Sequence, residues 1–132
     1  MNDQQLKMEY GSEYDNRTNI CTVRVYRTLE SPKDAYTLRF ATLDLAEQLN
    51  CSKFLFDLTR AQIVTKTLAA FEIANPKGEI TATLRNLAGA IYYKKITAHE
   101  IFFETIAVNR GFRIKVFDEY DKAIFWLSSL SL

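Results

Sequence analysis

Histidine, glycine and cysteine are scarce in this chain of 132 residues, and each scarcity excludes a kind of chemistry. A single histidine, His99, cannot build a two-histidine metal site and argues against a histidine-based proton relay. Four scattered glycines cannot supply a dinucleotide-binding or phosphate-binding loop. The two cysteines, Cys21 and Cys51, form no CxxC pair, so we expect two buried thiols in a reducing compartment, with a disulfide or metal role as the alternative.

Excess charge and long apolar runs are also missing. The 17 basic and 16 acidic residues leave a formal net charge of +1, so no overall field would attract nucleic acid or an anionic membrane. No apolar run approaches the roughly 20 residues that a transmembrane helix needs, and the N-terminus shows no signal peptide. We therefore expect a cytoplasmic protein without a cofactor, a bound metal, a nucleic-acid partner or a membrane span.

The residues that are present indicate one globular domain. Apolar residues make up 48% of the chain, which is enough for a substantial core. Residues 1–6 are polar and predicted to be flexible, and residues 7–132 are predicted to form the domain. Residues 7–29 have the pattern of a β-hairpin, and strand and helix patterns alternate after it. This order predicts an α/β sandwich with a mixed sheet of about five strands, an N-terminal antiparallel hairpin and about four flanking helices.

Capping signals mark two of the helices. Ser31 suits an N-cap, and Pro32 suits the first position of the helix that follows. Thr97 and Glu100 have the spacing of a capping box, which starts a second helix. Gly111 is expected to end that helix in the left-handed conformation.

The stretch KFLFDLTRAQIVTKTL, residues 53–68, raises the main functional question. It begins as a buried central strand, and Asp57 lies near the strand end, where open α/β sheets bind their ligands. A catalytic Asp57 would need a partner such as the carboxylate of Glu104, which nothing in the sequence brings close to it. We therefore interpret Asp57 as a structural residue that accepts hydrogen bonds from the following loop, and we expect no enzymatic activity.

Two stretches resemble a known bacterial family. The tail FFETIAVNRGFRIKVFDEYDKAIFWL, residues 102–127, and KFLFDLTRAQI, residues 53–63, resemble the family that is similar to the sporulation anti-sigma-factor antagonist, within the STAS and Sec14-like superfamily. The matching residues of the tail are Phe103, Glu104, Asn109, Arg110, Gly111, Phe112, Val116, Phe117, Ala123, Trp126 and Leu127. The resemblance implies a STAS-like sandwich, a sheet of four or five strands backed by helices.

The resemblance also implies a regulatory loop. In the antagonists, a DLSG strand end precedes a DSSG loop whose second serine is phosphorylated by a partner kinase. Residues 57–60, DLTR, match the strand end, and residues 65–68, TKTL, fall where DSSG would be. The resemblance thus places Thr67 at the phosphorylated position, with Thr65, Lys66 and Leu68 replacing the acid, the first serine and the glycine. The simpler interpretation is that Thr65 or Thr67 caps the next helix, and phosphorylation of Thr67 is the alternative.

Three functions stay open. We favour a non-catalytic regulatory or protein-interaction module that binds a protein partner or forms a homodimer. Its binding surface is expected to comprise three groups of residues. The loop after the central strand contributes Asp57, Thr59, Arg60, Thr65, Lys66 and Thr67. A second stripe of the first helix contributes Tyr36, Phe40 and Leu43, and the later helices contribute Phe103 and Phe125, which are expected to lie off their apolar faces. The alternative, implied by the Sec14-like relatives, is a carrier or sensor of a small apolar ligand. The second alternative is an enzyme that uses Asp57.

Overall fold

A mixed five-stranded sheet is the frame of the molecule. The computed structural model describes residues 10–29, 31–61 and 83–132, without the side chains of Pro32 and Tyr36. The strands lie in the order of the sequence: β1 (Tyr10–Asp15), β2 (Ile20–Val25), β3 (Lys53–Asp57), β4 (Ala88–Tyr92) and β5 (Arg113–Phe117). β1 pairs antiparallel with β2, and the other neighbours are parallel. The predicted α/β fold, with its mixed sheet and N-terminal hairpin, is confirmed.

Four helical segments accompany this sheet in the described residues. They are α1 (Pro32–Leu49), a helical turn at residues 83–85, α2 (Ala98–Asn109) and α3 (Tyr120–Ser129). No helix in the described parts of the chain is both long enough and apolar enough to cross a membrane. Residues 1–6, which are predicted to be flexible, lie outside the described residues, as does the start of the helix that Thr65 or Thr67 is predicted to cap.

The helix ends form as their polar residues predict. The Ser31 hydroxyl oxygen accepts a hydrogen bond from the Asp34 backbone N–H at 3.3 Å, which satisfies one of the free donors at the start of α1. Thr97 and Glu100 form a complete capping box at the start of α2. Gly111 follows α2 with a φ of 89°, a conformation that glycine adopts without steric strain.

Both faces of the sheet are buried. On one side, called the front face, Cys21, Val23 and Val25 belong to a core cluster that packs against α1 and α2. On the other side, called the back face, Ile20 and Leu55 pack against α3. Cys21, Val23 and Val25 are almost completely buried. Ile20 is equally buried, because successive side chains of a strand point to opposite faces and α3 covers the second one.

Candidate functional site

Asp57 holds the turn that follows β3. Its Oδ1 atom accepts hydrogen bonds from the Thr59 backbone N–H at 3.0 Å and from the Thr59 hydroxyl at 2.7 Å. The Leu58 N–H donates to the Tyr92 carbonyl at 2.8 Å, which extends the contact with β4. A side chain that satisfies a backbone donor two residues ahead stabilises a local turn. This is the structural contact predicted for Asp57.

Glu104, the second candidate acid, contacts a different strand. Its Oε2 atom accepts a hydrogen bond from the backbone N–H of Val116 in β5 at 2.6 Å. The cavity described below is lined by neither Asp57 nor Glu104. Each carboxylate therefore satisfies a backbone donor, and the cavity does not bring the two together.

The other residues of the predicted binding surface lie apart from one another. Arg60 and Phe40 are exposed, whereas Thr59 and Leu43 are half-buried. Phe125 is 76% exposed on α3. Thr65, Lys66 and Thr67 lie outside the described residues, as does the side chain of Tyr36. The predicted phosphorylation of Thr67 and the complete α1 stripe thus stay predictions.

Among the side chains that the structure describes, the exposed neighbours of Phe40 and Phe125 on their helices are polar. The exposed neighbours of Phe40 at four and seven residues along α1 are the charged residues Lys33, Asp44 and Glu47. The exposed neighbours of Phe125 along α3 are Asp121, Lys122, Ser128 and Ser129. Isolated apolar residues of this kind are common on protein surfaces and indicate no interface by themselves.

The expectation that Phe103 lies off the core-facing side of its helix is wrong. Phe103 is half-buried and packs against the front-face core cluster. The stretch IFFETIAV, residues 101–108, places apolar residues all round α2, so the spacing of its apolar residues does not distinguish an inner side from an outer one. Packing against β5 makes this choice, and it turns Phe103 inward and the neighbouring Phe102 outward.

The outward side of α2 is exposed and carries no charge. Ile101, Phe102 and Val108 are 48%, 42% and 52% exposed. At 100° per residue they share one side of the helix with other exposed, uncharged residues. We call this side the α2 outer face: Ala98, Ile101, Phe102, Thr105, Val108 and Asn109. This face was not predicted from the sequence, although a helix that is apolar all round is a signal for it.

A cavity of about 150 Å³ lies between the front face and the helices α1 and α2. Leu38, Arg39 and Thr42 of α1 line it, together with Ala107 of α2 and Gly89 of β4. Gly89 packs closely against side chains of the neighbouring strands. A Cβ atom there would lie 3.0 Å from Ile114 Cδ1 and 3.1 Å from Phe56 Cε2. The described lining is largely apolar, and Arg39 contributes a cationic group to it.

The two cysteines are buried free thiols, as predicted. Burial, with a smaller contribution from nearby Cys51, raises the pKa of Cys21 to about 11. Burial also raises the pKa of Cys51, whose thiol donates to the carbonyl oxygens of Lys53 at 3.2 Å and Asn19 at 3.3 Å. Both thiols therefore stay protonated near neutral pH and are poor nucleophiles.

No protein-family model matches the sequence, and no curated protein matches it. The resemblance to the STAS and Sec14-like superfamily thus stays a prediction. Across the described residues, no group of three or more His, Cys, Asp and Glu side chains is arranged to hold a metal ion.

Proposed function

We propose that this chain is a non-catalytic protein-interaction module of the STAS-like type that binds a protein partner through the α2 outer face. The observation that carries the proposal is the exposure of Ile101, Phe102 and Val108 on one uncharged side of a helix. Solvent-facing sides of helices normally carry charged residues. Interface centres, in contrast, are depleted in charge and enriched in aromatic residues.

The local roles of the acids and thiols support a non-catalytic function. Asp57 and Glu104 accept hydrogen bonds from backbone N–H groups of Thr59 and Val116. Burial raises the pKa values of Cys21 and Cys51, so neither thiol supplies a thiolate near neutral pH. Binding needs none of these groups as a reactive centre.

The experiment compares capture of a partner by matched surface variants. Phe102→Glu places a charge on the α2 outer face, and Phe125→Glu places the same charge on α3, where Phe125 is 76% exposed. Both sites are exposed enough to accept the change without loss of the fold, which circular dichroism checks. Each variant and the native chain are used as bait in extracts of the cells that make the protein.

We expect a protein that the native chain and Phe125→Glu retain and that Phe102→Glu loses, with at least a tenfold rise in its dissociation constant. Introducing a carboxylate at the centre of an apolar contact costs about 2 kcal/mol or more, which corresponds to such a change. Equal binding to both variants would contradict the proposal, as would a loss confined to Phe125→Glu.

A second candidate function, a carrier or sensor of a small apolar ligand, is favoured by the cavity. Cavities of about 150 Å³ in other proteins hold molecules of the size of benzene. Solvent extraction of the purified protein, followed by mass spectrometry, tests this hypothesis. Ala107→Leu adds bulk inside the cavity, whereas Ala98→Leu adds it at an exposed position of the same helix.

A ligand function predicts that a small molecule leaves the native chain and Ala98→Leu in similar amount. Ala107→Leu should release at least tenfold less of it. The hypothesis of a bound ligand is contradicted if the native chain releases no small apolar molecule, or if both leucine variants release it equally.

A further inference from the structure

The two edges of the sheet differ in how they are protected. At the β5 edge, the Phe117 carbonyl accepts from the Tyr93 N–H, so the backbone groups of Phe117 point towards β4. The backbone groups of the preceding residue, Val116, point outwards, away from β4, because the direction of these groups alternates along a strand. The Glu104 carboxylate accepts this outward N–H at 2.6 Å. A side chain from α2 thus occupies a donor to which another strand would bind.

The β1 edge has no such protection in the described part of the molecule. No described residue outside β2 and the hairpin turn makes a hydrogen bond to the backbone of β1. Its sequence, YGSEYD, contains no lysine and no proline, and its six residues pair with β2 without a bulge. Charged side chains, lysine above all, proline and bulges are the usual means by which an edge strand avoids pairing with another chain, and of these β1 has only the carboxylates of Glu13 and Asp15.

The outward-pointing groups of β1 follow from the hairpin turn. The Asp15 carbonyl accepts from the Asn19 N–H at 2.8 Å, so the backbone groups of Asp15 point towards β2. Backbone direction alternates along an antiparallel strand. The backbone groups of Glu13 and Gly11 therefore also point towards β2. The backbone groups of Tyr10, Ser12 and Tyr14 point outwards, to the open edge of the sheet.

We propose that β1 pairs antiparallel with β1 of a second copy of the chain, about a two-fold axis at Ser12, to form one continuous sheet. In this register Ser12 lies opposite Ser12, and Tyr10 lies opposite Tyr14 of the second copy. All of these residues have outward backbone groups, and each such pair exchanges two hydrogen bonds, about six in total. The contact is self-complementary, as a two-fold interface requires.

The side chains favour this register over the one with its axis at Glu13. Glu13 lies opposite Gly11 of the second copy, so no carboxylate faces another among the paired residues 10–14. The Tyr26 hydroxyl lies over Gly11, 3.1 Å from where a Cβ atom would be. It is thus placed to donate to Glu13 of the second copy. An axis at Glu13 would instead place two Glu13 carboxylates directly opposite each other, which is unfavourable.

This dimer is independent of the proposed function. The α2 outer face lies on the helix that packs against β5, and β5 is at the opposite end of the strand order from β1. Phe102→Glu therefore leaves dimerisation unchanged, whereas a change at Ser12 affects it. The two proposals fail separately.

The test uses opposite charges at the two-fold axis. Ser12 is exposed, so Ser12→Lys and Ser12→Glu fold, but each places two like charges opposite each other in the dimer. Ser128→Lys, at an exposed position on α3, is the matched control. Sedimentation velocity gives the dimer dissociation constants, and native mass spectrometry identifies the species in a mixture.

We expect the native chain and Ser128→Lys to dimerise and each Ser12 variant to do so at least tenfold more weakly. Mixing Ser12→Lys with Ser12→Glu should produce a heterodimer. A native chain that stays monomeric at 100 micromolar would overturn the proposal. So would a Ser12→Lys variant that dimerises as strongly as the native chain.

Discussion

Three short polar side chains, Ser31, Asp57 and Thr97, hold the backbone where a helix begins or a strand ends. Ser31 accepts from the Asp34 N–H, and Asp57 accepts from the Thr59 N–H. Thr97 belongs to the capping box of α2. Each contact joins residues at most three positions apart, so it depends on local sequence rather than on the rest of the fold.

The buried thiol of Cys21 makes the free energy of unfolding depend on alkaline pH. Its pKa is raised from 9.0 to about 11 in the folded chain, mainly by burial. Between these values the folded state keeps a proton that the unfolded state has lost. Raising the pH therefore favours unfolding, and the stabilisation that is complete below pH 9 is lost towards pH 11.

We expect Cys21→Ala to reduce this dependence. Urea denaturation at several values between pH 8 and about 10.5 should show a shallower fall in the free energy of unfolding for Cys21→Ala than for the native chain. The comparison of slopes removes the contribution of tyrosines and lysines, which titrate in both proteins. Parallel slopes would show that the Cys21 thiol does not titrate in this way.

Proline substitutions in β1 test which of its backbone N–H groups point towards β2. Ser12→Pro removes an N–H that points away from β2, and it should cost little folding stability because edge strands tolerate proline there. Glu13→Pro removes an N–H that points into the β1–β2 ladder and should destabilise the fold by about 1 to 3 kcal/mol.

Chemical denaturation at a protein concentration low enough to keep the chain monomeric separates the two proline effects. Ser12→Pro should also abolish dimerisation at higher concentration. If the two variants lose equal stability, or if Ser12→Pro loses more, the assignment of outward and inward backbone groups along β1 is incorrect.

The strands and α1 could be predicted from the sequence, and the orientation of α2 could not. In β2 and β5, alternation of side chains separates the two faces, and in α1 the charged residues Asp44 and Glu47 mark the outer side. In α2, Ile101, Phe102 and Phe103 follow one another and supply apolar side chains to both sides. Contact with β5 then determines which of them is buried.

For the whole molecule, the alternation of strands and helices after one hairpin predicts an α/β fold with a mixed sheet, but it does not determine the order of the strands. The observed order, in which consecutive strands are neighbours, is one of a limited number of possible topologies. The cavity and the unequal sheet edges depend instead on contacts between distant residues. The hydrogen bond from Val116 to Glu104 joins residues 12 positions apart on different elements, and no local pattern predicts it.

We propose above that the α2 outer face contacts a protein partner, and this contact can be tested in the cell. The most direct measurement replaces Phe102 or Phe125 with a photo-crosslinking phenylalanine analogue and irradiates cells that make the protein. We expect the variant at position 102 to form a covalent adduct with a different protein, and the variant at position 125 to form none. An absence of any adduct at position 102, or the same adduct from both positions, would contradict it.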